Sequence, residues 1–178
     1  MRITLRVLQF LPHTSNPSRD ACNGSGFDRS RMDSARIAHM KTKADCLNIE
    51  DAARKAIGQM YACSPECRKL RVGSSGAVHE FDIYAENVVV GGVSTSPLTI
   101  GQSNRNTGGT DRASRELLWL SLWPGREARI HVLTDRALAQ WLCNQFRGVL
   151  FPRTLTIYHY DCASGLLDRI GALASTQD

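Results

Sequence analysis

The chain has no apolar run that reaches the roughly 20 residues a membrane-spanning helix needs. It shows no secretory signal, so the expectation is a cytoplasmic protein without a membrane partner. Its six cysteines, at 22, 46, 63, 67, 143 and 162, therefore lack the extracellular setting in which an even count reads as a disulfide framework. Cys63-Ser-Pro-Glu-Cys67 has no second pair at zinc-ribbon spacing, which leaves free or buried thiols as the expectation. Ser94, Thr95 and Ser96 lack a nucleophile elbow, and the sequence implies no His or acid beside them, which argues against a serine hydrolase. Gly91-Gly92 precedes no helix, so it is a poor phosphate cradle and reads as a bulge or a close backbone approach.

What is present is a globular composition: 178 residues, 42% hydrophobic and 22% charged, enough for one domain with a buried core. The net charge of +5 invites a nucleic-acid reading, but its location weakens that argument. Residues 1–43 hold eight basic groups against three acids, whereas 44–178 hold fourteen of each. The first segment is poor in apolar residues after Leu11 and is interrupted by Pro12 and Pro17. It reads as a basic, disordered tail, with an organelle transit peptide as one alternative. Another is upstream sequence ahead of a start at Met32 or Met40, which leaves open whether residues 1–39 are native. Residues 44–178 read as a single domain.

Within that domain, Asn48 is a candidate cap for a helix running to about Tyr61, with Ala52, Ala53, Ala56, Ile57 and Met60 at helical spacing. Lys69–Val72, Val78–Ala85 and Val88–Val93 read as three strands in a meander, joined by Gly73–Gly76 and by a tight Glu86-Asn87 turn. Alternation places Glu80, Asp82 and Tyr84 on one face of the second strand and His79, Phe81 and Ile83 on the other. The β-branched third strand is expected to be buried on both faces. Residues 97–109 read as a polar loop, followed by a helix capped at Thr110 or Asp111 with Ala113, Leu117, Leu118 and Leu120 apolar. A strand at Ala128–Leu133, a helix capped by Thr134-Asp135, a strand at Thr154–Tyr160 and a short helix at Leu166–Ala174 complete the order. This predicts an α/β (α+β) domain built on a mixed central sheet flanked by helices.

That order over Asn48–Tyr160, with His79-Glu-Phe-Asp82 followed by Val88–Gly91, resembles the restriction-endonuclease-like (PD-(D/E)xK) nucleases. The resemblance implies an αβββαβ core of DNA-processing origin, with Asp82 as the acid of the second strand. It implies Mg²⁺ as cofactor, because a hard dication held against a phosphate prefers oxygen ligands. The third-strand acid-x-Lys tripeptide of that family falls on Gly92-Val93-Ser94. Gly92 supplies no carboxylate and Ser94 no cation. Glu80 on the same strand and Glu50 on the first helix are candidate substitutes, so the site set is Asp82, Glu80 and Ser94 for catalysis and Asp82 with Glu50 for metal. Lys69, Arg71, Arg112 and Arg115 are candidate sources of the missing charge, and with Arg105 they form the candidate nucleic-acid-binding set, Arg105, Arg112 and Arg115 for phosphate contact. Taken without the resemblance, Glu80 and Asp82 read as a solvated strand face, and His79 reads as a satisfied core or edge histidine. The tryptophans at 119, 123 and 141 read as core or interface. The expectation is a nuclease fold with a degraded site that still binds DNA or a partner. An active endonuclease with relocated ligands, and a non-enzymatic interaction module or homodimer, are the alternatives.

Overall fold

The computed structural model describes residues 42–73, 76–101 and 104–175, so the expectation for residues 1–41 lies outside the described residues. The chain divides at Met40/Lys41, and all described residues belong to the second unit.

Helix α1 (Lys43–Tyr61) begins earlier than Asn48. A capping box sets its start: Asp45 N–H donates to Thr42 Oγ1 at 3.1 Å, and Thr42 N–H donates to Asp45 Oδ2 at 2.9 Å. Reciprocal satisfaction of two orphan donors outcompetes a single Asn at position 48. Ala53 and Ile57 are buried as their spacing predicts, while Met60 is exposed.

Strand β1 (Glu66–Val72) starts directly after Pro65 and is longer than expected. Strands β2 (Ala77–Ala85) and β3 (Val89–Ser94) continue the antiparallel meander, with Asn87 at φ 61° in the turn between them. The predicted polar loop contains a short hairpin, β4 (Thr99–Ile100) and β5 (Asn104–Arg105). Helix α2 (Thr107–Leu122) begins before Thr110, because the Asn106 side chain accepts from Gly109 N–H at 3.0 Å and caps it. Strand β6 (Ala128–Leu133), helix α3 (Arg136–Gln145, capped by Asp135 as expected) and strand β7 (Leu155–Tyr160) follow. The predicted C-terminal helix is instead strand β8 (Leu167–Leu173), antiparallel to β7.

The sheet order is β1-β2-β3-β6-β7-β8, parallel at β3-β6 and β6-β7 and antiparallel elsewhere. The mixed sheet separates two apolar clusters. One packs Ala113, Leu117 and Leu120 of α2 and Leu138 and Leu142 of α3 against Phe81, Val90 and Leu155. The other packs Ala53 and Ile57 of α1 against Ile83, Val89 and Val132. Each fully buried Leu or Ile contributes about 1.5–3 kcal/mol by leaving water. Val89, Val90, Gly91 and Gly92 of β3 are all buried, as a strand covered on both faces should be.

The expected alternation along β2 is broken. Between the pairs Glu66↔Tyr84 and Arg68↔Phe81, β1 supplies only Cys67 and β2 supplies both Asp82 and Ile83. This bulge turns Ile83 to the α1 side while Phe81 and Tyr84 both join the α2 side. Trp123, at the end of α2, meets the rings of both, at 5.5 and 5.9 Å.

The end of α2 is held by a buried cation. Arg129 of β6 is 5% exposed and donates to the carbonyls of Leu120 at 3.0 Å, Trp123 at 2.6 Å and Gly125 at 2.9 Å. Beside it, Glu127 accepts from Trp123 Nε1 at 2.8 Å and from Asn87 N–H at 3.2 Å. Among the described residues no helix is long and apolar enough to cross a membrane. Arg129→Ala should cost about 3 kcal/mol, because it strands several buried carbonyls at once; urea denaturation of the variant against the native chain measures it.

Candidate functional site

The β2–β3 ladder runs only from Ala85↔Val89 to Ile83↔Gly91. Where it stops, the Asp82 carboxylate takes over as acceptor, and Val93 N–H donates to Asp82 Oδ2 at 2.8 Å. Arg54 of α1 braces the same residue by donating Nε–H to the Asp82 carbonyl at 2.5 Å. At the C-terminal end of β3 lies a cleft of about 330 Å³. Glu50, Glu116 and Ser94 line it together with Arg112 and Arg115. A larger open depression of about 810 Å³ runs along α1 past Asp51, Arg54 and Gln59, outside this cluster.

Glu116 was not legible as a site residue, yet it occupies the space above Gly92. A Cβ built on Gly92 would lie 2.5 Å from Glu116 Oε1 and 2.7 Å from its Cγ. A carboxylate from helix α2 thus fills the space beside Gly92 of strand β3. Glu116 Oε2 lies 3.0 Å from Nε2 of His79, and since an ionised carboxylate only accepts, Nε2 carries the hydrogen. The His79 ring also stacks on Trp119 at 4.8 Å and meets Phe81 edge-on at 4.7 Å. His79 is therefore a packed histidine, as its strand face suggested, but one with a carboxylate partner in the cleft.

The carboxyls influence one another. Burial pushes Asp82 up from its ordinary value; the Val93 N–H opposes this, and the charge of Glu116 adds to it. Glu50 is also raised, first by burial and then by the charge of Asp82, with Arg54 acting in the opposite sense. Asp82 and Glu50 thus share one electrostatic neighbourhood. Among the described residues, however, no three His, Cys, Asp or Glu side chains are grouped so as to hold a metal ion. A metal at this site would depend on two carboxylates completed by water and substrate oxygens, an arrangement that suits Mg²⁺ better than a cation needing a full protein cage.

The other candidates divide. Glu80 is exposed and faces Lys69 Nζ at 3.3 Å, while Cys67 Sγ donates to it at 3.4 Å. The Cys67 and Lys69 contacts lower its carboxyl, and this group does not line the cleft. Lys69 and Arg71 lie exposed on edge strand β1 and do not line it either. Arg105 packs its guanidinium over Trp141 at 4.2 Å, also away from the cleft. Arg112 and Arg115 do line it, and Arg112 Nη2 donates to Ser96 Oγ at 3.0 Å. The expectation that no histidine stands near Ser94 is overturned: Ser94 Oγ lies 3.0 Å from Nε2 of His131, a residue on the neighbouring parallel strand β6.

The close approach of Gly92 and Glu116 predicts a coupled pair. Gly92→Ala should destabilise by about 1–3 kcal/mol, and the loss should largely vanish when Glu116→Ala is added; a double-mutant cycle by urea denaturation reads this. Because Glu50 is raised in the folded state, its ionisation opposes folding as pH rises through its folded value. Glu50→Gln should therefore be more stable than the native chain at pH 7, with the difference disappearing below about pH 4, where both states are protonated. Thermal unfolding of the two proteins across that range checks the sign.

In comparisons with family models, curated proteins and solved structures, this chain matches none.

Proposed function

We propose that this chain is a nuclease-fold protein of DNA-processing origin that binds nucleic acid at the cleft beside β3, its metal-dependent phosphodiester cleavage weakened or lost. The observation that carries this reading is the composition of the cleft. Carboxylates of Glu50 and Glu116 and the guanidinium groups of Arg112 and Arg115 line the cleft together at the end of β3, with Asp82 at the adjoining strand joint. Arginines at such a rim suit phosphate oxygens, which accept paired N–H donors. The weakened chemistry follows from Ser94: the position expected to hold an ammonium carries a hydroxyl, so developing charge on a phosphoryl group lacks that cation.

One observation favours a second reading, an active Mg²⁺-dependent endonuclease. Glu116 stands where a side chain at position 92 would have stood, so the acid is relocated from strand to helix. Mg²⁺ would then rest on a pair of carboxylates, Asp82 with Glu116 or with Glu50, completed by water and substrate oxygens.

Binding of the full chain to duplex DNA should weaken steeply with salt, and Arg112→Ala or Arg115→Ala should each lower the salt slope by about one. Fluorescence anisotropy at several ionic strengths measures both. Salt-independent or absent binding would remove the nucleic-acid reading in favour of a protein-interaction module. In a nicking assay with Mg²⁺ or Mn²⁺, little or no cleavage is expected. Cleavage that is lost in both Asp82→Ala and Glu116→Gln would establish the second reading instead.

A further inference from the structure

His131 is fully buried, yet it reaches the cleft through one hydrogen bond, its Nε2 to Ser94 Oγ at 3.0 Å. Its other ring nitrogen, Nδ1, is buried and has no hydrogen-bond partner among the described residues. Burial drives the His131 pKa down to about 4, with the charge of Glu116 only partly opposing, so the ring is neutral and carries a single proton at pH 7.

Two tautomers are available. With the proton on Nδ1, a buried N–H donor has no acceptor, and Ser94 donates to Nε2 as a nucleophile would to its base. With the proton on Nε2, that N–H donates to Ser94 Oγ, and Nδ1 is left only with an unused lone pair. Orphaned buried N–H donors are rarer in folded proteins than under-used acceptors, which selects the second arrangement. The Ser94 hydroxyl, already an acceptor, then has its own hydrogen free for the cleft. Arg112, tied to Ser96 Oγ, and Arg115 supply positive charge in the same cleft. Glu50 and Glu116 line the same cleft, and their charge would confine an anion to the immediate reach of Ser94 and the arginines.

The geometry points to His131 as a positioning residue that holds Ser94 as a hydrogen-bond donor, so that Ser94, Arg112 and Arg115 form an oxyanion subsite for a phosphate group. The subsite rests on the nucleic-acid reading only for the source of that phosphate. A phosphate in a nucleic-acid backbone and free inorganic phosphate present the same oxygens, and experiment separates them.

The ring ¹⁵N shifts of His131 in the labelled full-length protein report the tautomer directly, and the Nε2–H form is expected. Inorganic phosphate titrated by NMR should shift Ser94, Arg112 and Arg115. Ser94→Ala should weaken phosphate binding about tenfold, since a hydrogen bond to a charged acceptor is lost, while Ser94→Thr, which keeps the hydroxyl, should retain it. The Nδ1–H tautomer, absence of phosphate binding, or equal binding by Ser94→Ala would each overturn the proposal. His131→Gln, whose amide N–H can still donate toward Ser94, should restore affinity relative to His131→Leu; equal affinity of these two folded variants would also overturn it. Ser94-dependent phosphate binding without binding to duplex DNA would uphold the subsite and remove the nucleic-acid reading. DNA binding alongside Ser94-independent phosphate binding would do the reverse.

Discussion

The site and the sheet meet at one hydrogen bond, from Val93 N–H to the Asp82 carboxylate. A ladder that continued past Ile83↔Gly91 would have used a backbone carbonyl there. The bulge at Asp82-Ile83 removes that option, and a side chain satisfies the donor instead. The substitution keeps a half-buried amide paired where the ladder ends. It also fixes a carboxylate in a place where burial resists its ionisation. The cleft owes its position to this joint, because the widened end of the hairpin is where α1 and α2 can both present side chains.

Burial on both faces of β3 follows from the same arrangement. The parallel pairing with β6 brings Gly91 against Ile130 so closely that a Cβ would lie 2.6 Å from its side chain. It also sets His131 beside Ser94. A short run of small residues thus does two jobs: it lets β6 approach, and it clears the space into which Glu116 reaches.

Much of this was legible in the sequence. The apolar spacing of α1, the Val run of β3, the Asn87 turn and the Asp135 cap all follow from local chemistry that acts within a few residues. The two failures in strand reading have one cause. In β2, the bulge puts Phe81 and Ile83 on opposite faces although they are two residues apart. In β8, the register shifts opposite Ile157/Tyr158, and Leu167 and Leu173 pack on opposite faces although they are six apart. The apolar positions Leu167, Ile170 and Leu173 then imitate a helical period although the segment is a strand. Of the residues around the cleft, Asp82, Glu50 and Ser94 were named only through the resemblance to the nuclease family, and Arg112 and Arg115 as cations of the helix that follows β3. Glu116 and His131 could not, because their roles depend on which turn of α2 lies over β3 and which strand pairs beside it. The one available signal for Glu116 was its place one turn beyond Arg112, on the same helix face.

Carrying an acid on a helix has a mechanical consequence. A carboxylate at position 92 of β3 would be tied to its neighbour β6 by the parallel ladder. Glu116 instead moves with α2 as a body. Its height above Gly92 is set by how that helix is clamped along its axis, and Arg129 grips the far end through the carbonyls of Leu120, Trp123 and Gly125. A buried cation outside the cleft thereby helps set the gap between Glu116 and the other acids, through the helix that carries it.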